Sequence, residues 1–151
     1  MIIERRLFLV SGAAALGLAG CGGEAPPPVM TVRASGQPGM NRGPDGSDRP
    51  VTVQVLQLAG AGAFNTAEYF ALQDPATALG ADLVKADQLV LAPGGATTRP
   101  ITIQPGTTLI GVTAGFRDPA GKQVRRTVAA PTEDAALIVT VGPGGLTVAT
   151  G

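Results

Sequence analysis

The sequence predicts an all-β protein: an antiparallel β-sandwich with one short helix and a long loop between the first two strands. Three observations carry this. Apolar and polar residues alternate at period two through several short runs. Turn signals at PGG, PGT, RDPAG and GPGG recur at close to strand-length intervals. The chain holds 22 Gly and 13 Pro, which favours many turns and short strands over long helices.

The first segment lies outside that pattern. MIIERR is followed by thirteen uncharged residues, Leu7 to Ala19, rich in Leu, Ala and Gly. As a helix they would reach only about 20 Å, against a hydrocarbon core of roughly 30 Å, so the run is too short to span a bilayer and fits the apolar core of an export signal. It ends Leu18-Ala19-Gly20-Cys21, with the only cysteine of the chain. This resembles the bacterial lipoprotein box, in which the small residues admit a signal peptidase and the thiol receives a diacylglyceryl group. A further acyl chain would then cap the new amine, and several chains together anchor durably, at about 0.8 kcal/mol per buried CH₂. A buried structural cysteine is the bland alternative. Arg5 and Arg6 fit either a twin-arginine export signal or an ordinary positive leader. In lipoproteins of the enteric type Asp after the acylated cysteine favours inner-membrane retention, so Gly22 points to the outer membrane, facing the periplasm.

The expected organisation is a signal over 1–20, a lipidated Cys21 with a proline-rich spacer over 21–29, and a β-sandwich over 30–151. The spacer contains EAPPPV, which is extended and semi-rigid. In the first strand Val32 and Ala34 share one face against Thr31 and Arg33. In VTVQVLQL, Val51, Val53 and Val55 point inward, and the inward set then slips to Leu56 and Leu58, suggesting a bulge or a strand that twists between sheets. Strands follow at 88–91, at 98–104, where Pro100 marks a sheet edge, and at 109–116, with Ile110, Val112, Ala114 and Phe116 on one face. A polar edge strand covers 122–128, and 136–141 pairs with 146–149 across GPGG.

Two segments break the rhythm. AFNTAEYFAL reads as a short helix capped by Asn65, with Glu68 completing a capping-box-like pair and Phe64 and Tyr69 as a hydrophobic staple. Its aromatics plug one end of the sandwich or, alternatively, form a binding patch. Gly36 to Arg49 joins two strands with fourteen residues where two to five would serve. Its composition can form no core, so it should project, with Met40 as an apolar contact between polar neighbours.

Composition excludes much chemistry. There is no His, so the Ser-His-Asp and Cys-His arrangements cannot be assembled, and the usual zinc and copper ligands are lacking. Net charge is zero, so nothing points to nucleic acid. Asp82 and Asp87 sit in a connecting segment, where capping is commoner than acid–base work. No cofactor, metal, catalytic residue or small-molecule substrate is expected. A lipoprotein binding a small ligand or glycan is the alternative function, set against small aliphatic strand faces.

The runs VTVQVLQLAGAGAFNTAEYFALQDPATALGADLVKADQLVLAPGG and LIGVTAGFRDPAGKQVR resemble the type VI secretion lipoprotein family TssJ. The V-x-V-x-Q-L strand maps onto Val53 to Leu58, the F-x-x-A-x-F-F/Y-A-L helix onto Phe64 to Leu72, the L-x-P-G turn onto Leu91 to Gly94 and the A-x-F-R-D strand end onto Ala114 to Asp118. The resemblance implies a transthyretin-like sandwich, tethered to the outer membrane through Cys21 and binding the periplasmic domain of TssM, with TssL as an indirect partner. It also implies that the loop between the first two strands contributes to that contact, with Gln37, Met40, Asn41 and Arg42 as its residues.

Overall fold

The computed structural model describes residues 25–151; the signal segment, Leu18, Ala19, Gly20 and Cys21 lie outside the described residues. Eight strands form two four-stranded sheets. One sheet has the order β4-β1-β7-β8, from β1 (Val29–Gly36), β4 (Ala96–Thr102), β7 (Ala135–Gly142) and β8 (Gly145–Thr150). The other has the order β3-β2-β5-β6, from β2 (Val51–Leu58), β3 (Leu83–Leu91), β5 (Leu109–Gly115) and β6 (Arg125–Ala129). The core between them is aliphatic: Val32, Val53, Val55, Ile110, Val112, Leu137, Val139 and Val141 are fully buried. β4 with Pro100 and β6 with Arg126 are edge strands, as their composition predicts.

The strands are not all antiparallel. β1 runs parallel to β7, Met30 opposite Ala135 through Gly36 opposite Val141. β1 leads across to the other sheet through the long loop, and β7 returns from that sheet after β6. Alternation along each strand reports which face is inward and says nothing about the direction of its neighbour.

β2 explains the apparent slip of its inward set. Val51, Val53 and Val55 join the main core, and the next residue in phase, Gln57, also faces in and is fully buried. Its amide crosses to the opposite sheet: Nε2 donates to the Thr102 carbonyl at 3.0 Å, and Oε1 accepts from the Gln104 N–H at 2.7 Å and the Thr107 hydroxyl at 3.0 Å. Leu56 and Leu58 lie on the outer face and pack with Phe64, Leu72 and Leu79. The strand therefore does not change sheets. Its outer face is covered by a second apolar layer, and the only irregularity is a register shift against β3 between Gln57 and Leu58.

That layer is helical but broken. α1 (Gly62–Thr66) is followed by a 3₁₀ turn at Phe70–Gln73, α2 (Pro75–Leu79) and a second turn at Gly80–Asp82. The continuous helix expected from Asn65 does not form; Ala67 is extended, at φ −65° and ψ 143°. Asn65 lies inside α1 and is not its cap. Distant charges serve the two ends instead. Asp82 accepts from the Ala63 N–H at 3.3 Å, and Arg125 donates to the carbonyls of Phe64 at 2.7 Å and Ala67 at 2.8 Å. These bonds satisfy groups that so short a helix cannot pair internally. Of the three aromatics only Phe64 is fully buried, over the sheet face; Tyr69 is half-buried and Phe70 is exposed. Asp87 belongs to β3, with Lys85 Nζ 3.6 Å away, and not to a connection.

The described end of the spacer is already tied to the domain. Ile103 N–H donates to the Pro28 carbonyl at 2.9 Å, and Asp134 accepts from the Val29 N–H at 2.8 Å. The chain thus enters β1 one residue before the expected boundary at Met30.

Candidate functional site

The 36–49 segment is folded back on the sandwich. Its centre contradicts the expectation that it can form no core: Met40 is fully buried in the main core, against Gly36, where a Cβ would come within 2.7 Å of the Met40 sulfur. Asn41 is buried beside it. Its Nδ2 donates to the Pro50 carbonyl at 3.0 Å, and its Oδ1 accepts from the Arg117 N–H at 2.9 Å, joining the loop to the end of β5. Asp48 closes the segment from the other side, accepting from the Gly39 N–H at 2.5 Å and the Asn41 N–H at 2.8 Å. Asp45 organises the tip by accepting from the Ser47 hydroxyl at 2.8 Å and the Ser47 N–H at 3.1 Å. Lys122 donates to the Met40 carbonyl at 3.3 Å while its ammonium sits 4.8 Å from the centre of the Phe116 ring.

The expected contact residues therefore part company. Met40 and Asn41 are turned inward and hold the loop in place, whereas Gln37 and Arg42 are exposed. Residues outside that set complete the surface. Arg49 and Arg117 crowd over Gly43, where a Cβ would lie 2.8 Å from Arg49 Nε and 3.0 Å from an Arg117 terminal nitrogen. Arg42, Gly43, Pro44, Arg117 and Asp118 line a concavity of about 370 Å³. Three guanidinium groups thus gather around a glycine floor, with Asp45 3.8 Å from Arg49, Asp48 beside Arg42 and Asp118 in the lining as counter-charges. Arg117 opens the RDPAG turn signal, and Asp118 organises that turn by accepting from the Ala120 N–H at 3.1 Å. Only the fold brings Arg117 beside Arg49.

The Asn41 N–H holds the Asp48 carboxyl below its usual range, helped by the Gly39 N–H and the Arg42 charge and opposed by partial desolvation. A carboxyl with a depressed folded pKa contributes stability above its unfolded pKa and loses it as pH falls through the folded value. The loop staple should therefore persist through neutral pH and release only below the ordinary carboxylate range. Hydrogen exchange of the Gly39 and Asn41 amides should accelerate there, ahead of core amides such as Val139. Asp48→Asn should bring that acceleration to neutral pH; unchanged exchange in the variant would refute the staple.

Among the described residues no three acidic, Cys or His side chains are grouped to hold a metal ion. Asp82 lies in the connecting turn before β3 and is engaged at the start of α1, the capping role expected of it, whereas Asp87 lies in a strand and not in a connection.

A family model described as type VI secretion lipoprotein, VasD, EvfM, TssJ matches residues 28–144. The crystal structure of the T6SS lipoprotein TssJ1 from Pseudomonas aeruginosa is similar at TM-score 0.76 and 27% identity, over 83% of this chain and 98% of that one. Lip from Serratia marcescens, described as a membrane bound component of the type VI secretion system, is similar at TM-score 0.72 and 22% identity, over 80% of this chain and 96% of that one. A chain of a type VI membrane complex gives TM-score 0.72 and 22% identity, over 82% and 98%. A search of the curated proteins finds no match. The matched span takes in the stapled loop, the helical cover and all but the last strand in full, and the chain belongs to the type VI secretion lipoprotein family that includes TssJ, VasD and EvfM.

Proposed function

We propose that this chain is the outer-membrane lipoprotein of a type VI secretion membrane complex, held by acyl chains on Cys21 and gripping the periplasmic domain of TssM, and through it TssL. Proteins of this family are structural lipoproteins and not enzymes. Lipidation is supported by the Leu18-Ala19-Gly20-Cys21 box, and the outer membrane by Gly22 in place of Asp. The observation that carries the docking role is the stapled loop: a backbone held by Asp48 and Asn41 presents Gln37, Arg42, Arg49 and Arg117 from a rigid base. Such preorganisation lowers the entropy cost of binding, and exposed guanidinium groups fixed on the rim can pair with carboxylates of a partner surface. The function is mechanical: the acyl chains fix one end, the loop face the other, and force passes between membranes.

A pull-down and titration with the periplasmic C-terminal fragment of TssM tests this. The double variant Arg42→Glu/Arg117→Glu should weaken binding by about tenfold or more, and wild-type affinity should fall as salt rises. Undiminished binding by the double variant would refute the loop assignment. Cys21→Ser should move the protein from the membrane to the soluble fraction; retention in the membrane would refute the anchor.

A further inference from the structure

The outer face of the β3-β2-β5-β6 sheet is only half covered. The helical layer lies over Leu56 and Leu58 and stops at Leu72, whose carbonyl accepts from Gln54 Nε2 at 3.0 Å. Beyond it Gln88, Gln54 and Thr113 form one cross-strand row, and Val90, Thr52 and Gly115 the next. Thr52, Gln54, Gln88, Thr113 and Gly115, with Tyr69, Leu72 and Gln73 at one side, line a concavity of about 250 Å³ that contains no charged side chain.

Two observations show that this hollow is unfinished. Gln54 is 6% exposed, yet its Oε1 has no hydrogen-bond partner. The amide cannot be turned round to remedy this, because Nε2 is committed to the Leu72 carbonyl and a flip would set two acceptors together. A buried acceptor without a donor is a cost that a donor arriving from outside offsets. Second, the two large hydrophobic residues exposed among the described residues both border this hollow: Val90 (67% exposed) stands directly opposite Thr52, and Phe70 (66% exposed) packs edge-on against Tyr69 with ring centres 4.8 Å apart.

The hollow is continuous with the loop face. Thr52 follows the loop by three residues, and Gly115 precedes Arg117 by two. Tyr69 donates to the Phe116 carbonyl at 2.7 Å, and the next residue, Arg117, donates to Asn41. We propose that the Gln54 hollow is a second part of the partner footprint, receiving an uncharged donor side chain (Asn, Gln, Ser, Thr or Trp) of the docked protein while Phe70 and Val90 pack against its apolar flanks. The identity of the partner rests on the loop reading above. The donor's chemistry rests on the hollow alone. A Lys or Arg would be buried with no counter-charge, and a carboxylate would face the Gln54 oxygen. A footprint reaching from Arg42 to Phe70 is ordinary for an interface that covers about 800 Å² on each side.

The test uses the full-length chain in detergent with the periplasmic fragment of TssM. Binding should protect amides at 52–54, 70–73 and 113–115 from hydrogen exchange. Phe70→Ala/Val90→Ala, at exposed positions that leave the fold intact, should weaken binding by about tenfold. Gln54→Met should weaken it several-fold, with its melting temperature measured alongside. Undiminished binding by the Phe70/Val90 variant, where Arg42→Glu is weakened, would overturn this footprint and leave the loop reading standing. Failure of the wild-type chain to bind the fragment would overturn the loop reading itself. Shifts of the Gln54 and Thr113 amide resonances on adding an N-acetylated disaccharide, without the fragment, would assign the hollow to a glycan and overturn the proposal.

Discussion

Gly145→Ala is expected to lower the melting temperature by about 10 °C or more, while Gly144→Ala next to it changes little. The two positions differ in backbone and in surroundings. Gly145 has φ +110°, a conformation that side-chain-bearing residues rarely adopt, and a Cβ there would lie 2.4 Å from both the N and the O of Gln123. Gly144 has no atom within 4 Å of its Cβ position. The close approach at Gly145 serves a purpose. Leu146 N–H donates to the Gln123 carbonyl at 2.8 Å and Gln123 N–H to the Gly144 carbonyl at 3.1 Å, forming a short parallel bridge. That bridge joins the start of β8, in one sheet, to the segment leading into β6, in the other, and closes the sandwich on that side. Alanine adds conformational strain of about 1–3 kcal/mol and also forces two backbones apart, so the combined loss should exceed either effect alone. Chemical denaturation of both variants measures it. If Gly145→Ala unfolds at the wild-type midpoint, the seam contributes nothing.

Much of this fold is legible in the sequence, and the failures have physical causes. Alternation identifies Val53, Val55, Ile110 and Val112 as inward because a strand with one wet face shows period two. It fails at Leu56 to Leu58, where both faces are buried: Gln57 holds the inward phase while its amide satisfies three groups at the end of the core, and a buried glutamine looks polar in any pattern. Pro100 and Arg126 reveal edges, because edges tolerate a missing donor or a charge. The parallel pairing of β1 with β7 leaves no local trace, since it depends on where the chain returns after five further strands. The broken helix follows the same logic. Asn65 and Glu68 have the spacing of a capping box, but Asp82 and Arg125 reach α1 from other elements, and tertiary bonds override a weak local preference. In the candidate site, Gln37 and Arg42 are exposed as expected, while Arg49 and Arg117 become neighbours only when Asn41 ties the loop to the end of β5.

Met40→Ala should destabilise the protein by about 2–5 kcal/mol, the range for truncating a buried methionine, and should loosen the docking loop at the same time. A single methionine among glycines, prolines and charges shows no periodicity, so composition makes the segment look coreless. In the fold its side chain is fully buried, its carbonyl accepts from Lys122, and the N–H groups on either side of it, at Gly39 and Asn41, both bond to Asp48. Removing the side chain withdraws the one apolar anchor from beneath the hydrogen-bonded frame that sets Arg42 and Arg49. A surface contact would behave in the opposite way, losing partner affinity at an unchanged melting temperature. Met40→Leu conserves volume and should lie within about 1.5 kcal/mol of wild type with the loop amides still protected. Thermal melts of both variants, paired with hydrogen exchange at Gly39 and Asn41, separate the two roles. A wild-type melting temperature for Met40→Ala would mean that the loop stands free of the core, and the rigid base on which the docking role depends would be lost with it.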